Sequence, residues 1–177
     1  MTSETRLIKV GPAERYSRYS DYFDLKGRSE ISQIFVSGGD DGIMSIQFQY
    51  VENGEYVLSK LYGTQGSTYK FHTIELNHPA EYITGVNGLY SDKSDNIKVI
   101  TFTTNIQEYG PFGVTNPYLQ SQFSDPRSFS YNLGKSCQFG GFHGSYYSIS
   151  GLLSIGFYLS AKTLPPSLGS ETPKKES

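Results

Sequence analysis

Between Gly144 and Gly151 the chain reads Gly-Ser-Tyr-Tyr-Ser-Ile-Ser-Gly. Tyr146, Tyr147, Ser148 and Ser150 there offer two ring faces and a group of hydroxyls. Such a loop could give stacking and hydrogen bonds to a glycan, and it suits a protein surface equally well. The other residues with chemical potential reduce to structural roles. Cys137 and His143 are six residues apart, but a thiol nucleophile needs a base fixed in space and a group that orients the base. Cys137 opens an apolar strand pattern and reads as a buried structural cysteine. His72 and His78 lack a third ligand at recognisable spacing, so no metal is expected. Gly38-Gly39-Asp40-Asp41-Gly42 is rich in glycine, but two carboxylates and no following helix repel a phosphate. It reads as a hairpin turn. Tyr109 to Gly113 reads as a structural turn, with Pro111 fixing φ and Phe112 covering the edge of the core. No enzyme constellation and no cofactor motif is present, so catalysis is not expected.

These residues must be carried by strands. Met44, Ile46, Phe48 and Tyr50 alternate with Ser45, Gln47 and Gln49, the period of two that a half-buried strand requires. Leu153, Ile155, Phe157 and Leu159 alternate in the same way with Ser154, Gly156, Tyr158 and Ser160. Four more short stretches are rich in β-branched and aromatic residues and bounded by turn formers: Ile31–Val36, Phe71–Leu76, Tyr82–Val86 and Ile97–Thr103. Glu52-Asn53-Gly54-Glu55 holds the Asn-Gly pair that tolerates the positive φ of a tight hairpin. No window shows a sustained helical stripe, so crossover helices are not expected. The class is all-β, assembled from antiparallel hairpins. Segments 31–50, 74–103 and 139–159 each hold a strand pair around a glycine-bearing turn, compatible with three similar sheets; periodicity alone leaves sandwich, barrel and prism open.

Composition bounds the rest. The chain has 177 residues, 15 Tyr and 11 Phe but no Trp, so its core must be built largely from rings. A formal charge of −2 and a pI near 5.9 argue against nucleic acid or an anionic membrane as partner. One cysteine excludes an intrachain disulfide and fits a reducing, cytoplasmic setting. Leu7 to Val10 is too short for a signal-peptide core or a spanning helix. The expected organisation is a flexible start over 1–7, one domain over 8–162, and a polar, Pro-rich disordered tail over 163–177.

Six runs in order then carry a resemblance: Gly11-Pro12; Ile31 to Ser37; Gly42 to Phe48; Glu81 to Gly88; Thr101 to Asn105 running on to Tyr109 to Gly113; and Phe139 to Gly144 leading to Ser154 to Tyr158. Their order and spacing resemble the jacalin-related lectins over nearly all of residues 8–160. The resemblance implies a β-prism of three four-stranded Greek-key sheets about a pseudo-threefold axis. It also implies a sugar site where backbone near an N-terminal glycine faces a Gly-x-x-x-Asp loop, whose carboxylate takes two hydroxyl donors. Alignment sets the Asp position at Leu153 and the Gly position at Ile149, both replaced. The loop from Ser145 to Leu153 is about two residues longer than the family pattern, and Ala13-Glu14-Arg15 stands where a Gly-Gly pair is common. The implied, degenerate site comprises Gly11, Glu14, Tyr146, Tyr147, Ser148, Ser150 and Leu153, with Glu14 the one carboxylate able to stand in. Leu153, in phase with Ile155 and Phe157, reads more readily as a buried strand residue. Loss of such a carboxylate weakens monosaccharide binding roughly 10- to 100-fold.

Within the family, Gly42 to Gln49, Gln107 to Gly113 and Leu133 to Gly144 resemble a plant branch that limits long-distance virus movement. The implied function is a non-enzymatic defence factor, cytoplasmic and set in phloem sieve elements. Its partners would be host or viral proteins, a second copy of the chain and, weakly, mannose- or glucose-type glycans. The alternative is a working lectin for those glycans.

Overall fold

A computed structural model describes residues 6–12, 19–91, 94–136 and 138–161. The expected tail over 163–177, Glu14 and Cys137 lie outside the described residues. In chain order the strands are β1 (Leu7–Val10), β2 (Asp21–Asp24), β3 (Ile31–Gly39), β4 (Gly42–Glu52), β5 (Glu55–Leu58), β6 (Tyr62–Gly63), β7 (Lys70–Glu75), β8 (Ile83–Ser91), β9 (Ser94–Thr104), β10 (Glu108–Gly113), β11 (Pro126–Asn132), β12 (Phe139–Tyr147) and β13 (Gly151–Ser160). Among the described residues there is one short helix, α1 (Pro117–Ser121), capped by Asn116, whose side chain accepts from the Tyr118 amide at 2.9 Å.

The strands form three antiparallel sheets, each built on a central hairpin. The first has the order β1-β13-β12-β2, the second β5-β4-β3-β7 and the third β10-β9-β8-β11. This is the expected prism with one difference: the second sheet has five strands, because the two-residue β6 also pairs with β4. The hairpin turns fall where turn chemistry set them. Gly39 faces Gly42 across Asp40-Asp41, and Asn53 and Gly54 take φ of 53° and 79° between β4 and β5. The reading of Tyr109–Gly113 as a turn is corrected: it is the edge strand β10, with a bulge between Tyr109 and Phe112. An edge strand tolerates the missing N–H of Pro111, and the bulge absorbs the break in register.

The alternation of β4 puts Ile46 and Phe48 inward and Gln47 and Gln49 outward, and each sheet contributes rings to one core. Phe48 from the second sheet stacks on Phe142 from the first at 4.8 Å, and Phe102 from the third meets Phe142 edge-on at 5.9 Å. Phe23 and Tyr62 stack at 4.4 Å beside them. Rings therefore meet at the centre, but isoleucine, leucine and valine make up most of the buried cluster, so the expectation of a core built largely from rings is corrected: Tyr19, Tyr22, Tyr56 and Tyr118 lie on the surface.

At one end of the prism the sheets approach through backbone. Gly151 begins β13 at φ +88°, and a Cβ there would overlap the Ile43 carbonyl oxygen of the second sheet. Gly42 begins β4 at φ +109°, where a Cβ would lie 2.7 Å from the Ile97 carbonyl of the third. Gly151→Ala is expected to lower unfolding free energy by about 1–3 kcal/mol in denaturant titration, from left-handed strain plus the overlap. Gly39→Ala, with open space around the added methyl, should stay within about 0.5 kcal/mol of the parent.

Candidate functional site

The β12–β13 hairpin carries the loop singled out in the sequence. Ser148 to Ser150 form its turn; Ser148 and Ile149 are exposed, Ser150 half-buried. The two tyrosines before the turn are not free platforms. Tyr146 pairs with Leu152 and Asp21, and its ring packs 5.5 Å from Tyr62, against the core. The Tyr147 ring stacks on Tyr19 at 6.2 Å. Gly11, at φ +50°, lies so close to the Tyr131 phenol that a side chain there would overlap the ring. Gly11 thus follows β1 near Tyr131 at the same end as the hairpin, while Glu14 lies outside the described residues.

Leu153 is 2% exposed. Ser145 faces Ser154 and Tyr146 faces Leu152, which leaves Leu153 as the unpaired residue of a β-bulge. The simple alternation from Leu153 to Leu159 therefore breaks at its first member: Leu152, not Leu153, belongs to the main core cluster. The same device recurs in the other sheets. Met44 is unpaired between the pairs Gly38–Ile43 and Ser37–Ser45, and Lys98 between Tyr90–Ile97 and Leu89–Val99. One rung of the prism thus holds Met44, Lys98 and Leu153 in equivalent positions, all buried. None is a carboxylate. Lys98 turns its ammonium to the Asp41 carbonyl at 2.7 Å, which Asn96 Nδ2 also reaches at 2.8 Å. Burial pushes the Lys98 amine below its ordinary value, partly offset by Asp41. Beside two of the bulges sit paired serines: the hydroxyls of Ser37 and Ser45 are 2.5 Å apart, those of Ser145 and Ser154 2.6 Å.

Sequence reasoning missed a polar stripe on the outer face of the first sheet. Lys9, Asp24, His143 and Ser154 border a cleft of about 360 Å³. His143 Nε2 donates to the Val10 carbonyl at 3.1 Å, and burial pushes the imidazole below its ordinary value, so it is held neutral. Tyr158 donates to Asp24 Oδ2 at 2.9 Å; burial, then that carboxylate, push the phenol up to about 12. The outward phase of His143 and Ser145 in the pattern from Phe139 was the available signal. His143 is committed to positioning β1, not to nucleophile activation. His78 Nε2 meets Glu30 Oε1 at 3.2 Å, and His72 packs on Phe112 at 4.9 Å. Among the described residues no group of three or more metal-ligating side chains occurs.

At the opposite end, Glu81 is buried between the β7–β8 and β9–β10 connections. It accepts from the Asn77 amide at 3.0 Å, Thr104 Oγ1 at 2.7 Å and Tyr109 Oη at 2.9 Å. Burial alone would raise its carboxyl; the three donors outweigh it and hold the group below its ordinary value. Next to it the outer face of the second sheet forms a cleft of about 680 Å³, bordered by Gln33, Gln49, Tyr56, Glu75 and Gln107.

Residues 17–158 match the Jacalin-like lectin domain. The chain is 42% identical over 168 residues to "Protein RESTRICTED TEV MOVEMENT 1" of Arabidopsis thaliana, covering 91% of each chain. It is 43% identical, with the same coverage, to "Inactive protein RESTRICTED TEV MOVEMENT 1" of that plant. The fold is similar to that of frutalin from Artocarpus incisa, with a TM-score of 0.69 at 24% identity, covering 91% of this chain and all of frutalin.

Proposed function

We propose, from the premise that this chain belongs to the jacalin-like lectin family, that its prism serves plant defence by restricting long-distance virus movement, through contacts with host or viral proteins. The observation that carries this reading is the 42% identity, over nine-tenths of both chains, to a relative named for restricting TEV movement. Leu153 supports the protein-contact form of it. A buried leucine on the bulge supplies no acceptor for sugar hydroxyls, and the neighbouring Tyr146 ring is occupied by core contacts. The family's sugar site is on this reading degenerate. The setting is the cytoplasm of phloem sieve elements, and a second copy of the chain, added at an open sheet edge, belongs to the same reading.

The deciding experiment has two arms. Expressed in plants that lack their own restriction, the chain should block systemic spread of tobacco etch virus while leaving the inoculated leaf infected. The purified chain should give no calorimetric response to mannose, glucose or an N-glycan. Unrestricted spread would remove the defence role. Millimolar or tighter binding abolished by Tyr147→Ala or Ser148→Ala would favour the second reading, a working mannose- or glucose-type lectin, for which the exposed turn at Ser148 is the supporting feature. Leu153→Asp is not expected to create a sugar site by itself: it buries a carboxylate at a sealed position and should destabilise the fold by about 3 kcal/mol or more, read in a denaturant melt.

A further inference from the structure

We infer that the outer face of the second sheet is a binding platform for a linear, uncharged oligosaccharide, separate from the family's sugar loops. In register across β7, β3, β4 and β5, Glu75 faces Gln33, Gln33 faces Gln49, and Gln49 faces Leu58. Strand-to-strand spacing sets these side chains about 4.8 Å apart, a step comparable to one pyranose along a β-linked chain. Glu75, Gln33 and Gln49 of this row border the cleft of about 680 Å³, at the end of the prism away from the β12–β13 turn.

The chemistry of the lining selects the ligand. Planar amides can bridge neighbouring hydroxyls, donating to one and accepting from the next. Gln49 Oε1 accepts from Ser32 Oγ at 3.1 Å, which leaves its NH₂ donors for a ligand; Gln107 Nε2 donates to Tyr109 Oη at 2.7 Å, which leaves its carbonyl oxygen. Tyr56, 70% exposed at the border, supplies a ring for the C–H face of a sugar. No lysine or arginine borders the cleft and Glu75 is acidic, so phosphates and nucleic acids are disfavoured. Glu81 is already satisfied by three donors. A peptide would need a free sheet edge or deep apolar pockets. Here β3 and β4, which carry Gln33 and Gln49, are interior strands hydrogen-bonded on both sides, so the centre of the row offers only side chains, and the edges lie at its ends, on β5 and β7. A polyhydroxylated, neutral, extended ligand is what the row fits.

This inference goes beyond the proposed function and does not depend on it, because the platform and the family loop lie at opposite ends. The full chain is titrated with cellohexaose and with a linear mannohexaose, following backbone amide signals by NMR. Millimolar binding of either, with shifts confined to β3, β4, β5 and β7, is expected. Tyr56→Ala and the double change Gln33→Ala with Gln49→Ala should each weaken it about tenfold or more, while Tyr118→Ala, an exposed ring on α1 outside the cleft, leaves it unchanged. Tyr56 is a surface residue, so its variant keeps the fold and decides the matter if the double variant melts early. The inference fails if neither sugar binds, if the shifts map to the β12–β13 turn, or if Tyr56→Ala binds like the parent. Virus restriction in the same variants is a separate readout, so loss of one result leaves the other standing.

Discussion

Phe48→Ala is expected to lower the unfolding free energy by about 3–5 kcal/mol, the largest effect of any single truncation considered. Phe48 is fully buried, stacks on Phe142 at 4.8 Å and lies 6.1 Å from Phe23 and 6.5 Å from Tyr62. It therefore joins the second sheet to the first. Truncation removes apolar area and leaves a cavity that rigid strands on every side cannot close. Domains of this size have roughly 5–15 kcal/mol in hand, so the variant should be marginal at ambient temperature. Denaturant titration is the measurement; a shift of the midpoint with unchanged slope identifies a stability effect. Phe71→Ala is the control, because that ring is solvent-exposed on the edge strand β7 and should change stability by less than about 0.5 kcal/mol. Equal losses in the two variants would contradict the proposed core.

Glu81→Ala should cost about 3–4 kcal/mol at neutral pH. The carboxylate takes three hydrogen bonds and ties Asn77, Thr104 and Tyr109 together. Charge-assisted bonds of this kind contribute about 1.5–3 kcal/mol each, not fully additively, and truncation leaves donors unpaired. The pH dependence follows from the direction of the shift. The folded carboxyl titrates below its ordinary value of 4.5, so its stabilisation is complete above that value and lost as pH falls through the lower folded value. His143 acts in the same sense from a higher starting point. Burial holds it neutral, so stability begins to fall below the ordinary 6.5, where only the unfolded chain readily protonates. The domain should thus be increasingly acid-labile below neutrality. Glu81→Gln should flatten the profile in the region below about 4.5, with the His143 portion unchanged; an unaltered profile would count against the ionised network.

How much of this was legible depends on which residues carried the signal. β4 was readable because four apolar residues alternate with polar ones, and its turn because Asn53-Gly54 has one favoured geometry. β2 was not, because Phe23 is its one buried residue and a single apolar position has no period. β10 was misread because Pro111 argues against a strand unless the strand is known to be an edge. The family loop was recognisable by resemblance, yet the status of Leu153 needed the partner strand. A bulge is a mismatch between two registers, and one strand read alone contains only one of them. Glu81 gave no signal, since its partners come from positions 77, 104 and 109, which folding alone brings together.

Among the described residues the first sheet joins the earliest strand to the latest: Leu7 faces Ser160 and Val10 faces Phe157. The second and third sheets are each drawn from one continuous stretch, 31–75 and 83–132. Synthesis proceeds from the N-terminus, so on the ribosome those two sheets can pair as they emerge, while β1 and β2 wait for β12 and β13. The aromatic centre, which needs Phe142, closes only with that final hairpin. Until then the inner faces of two finished sheets stand open, and the β12–β13 hairpin sets the moment at which the molecule becomes native.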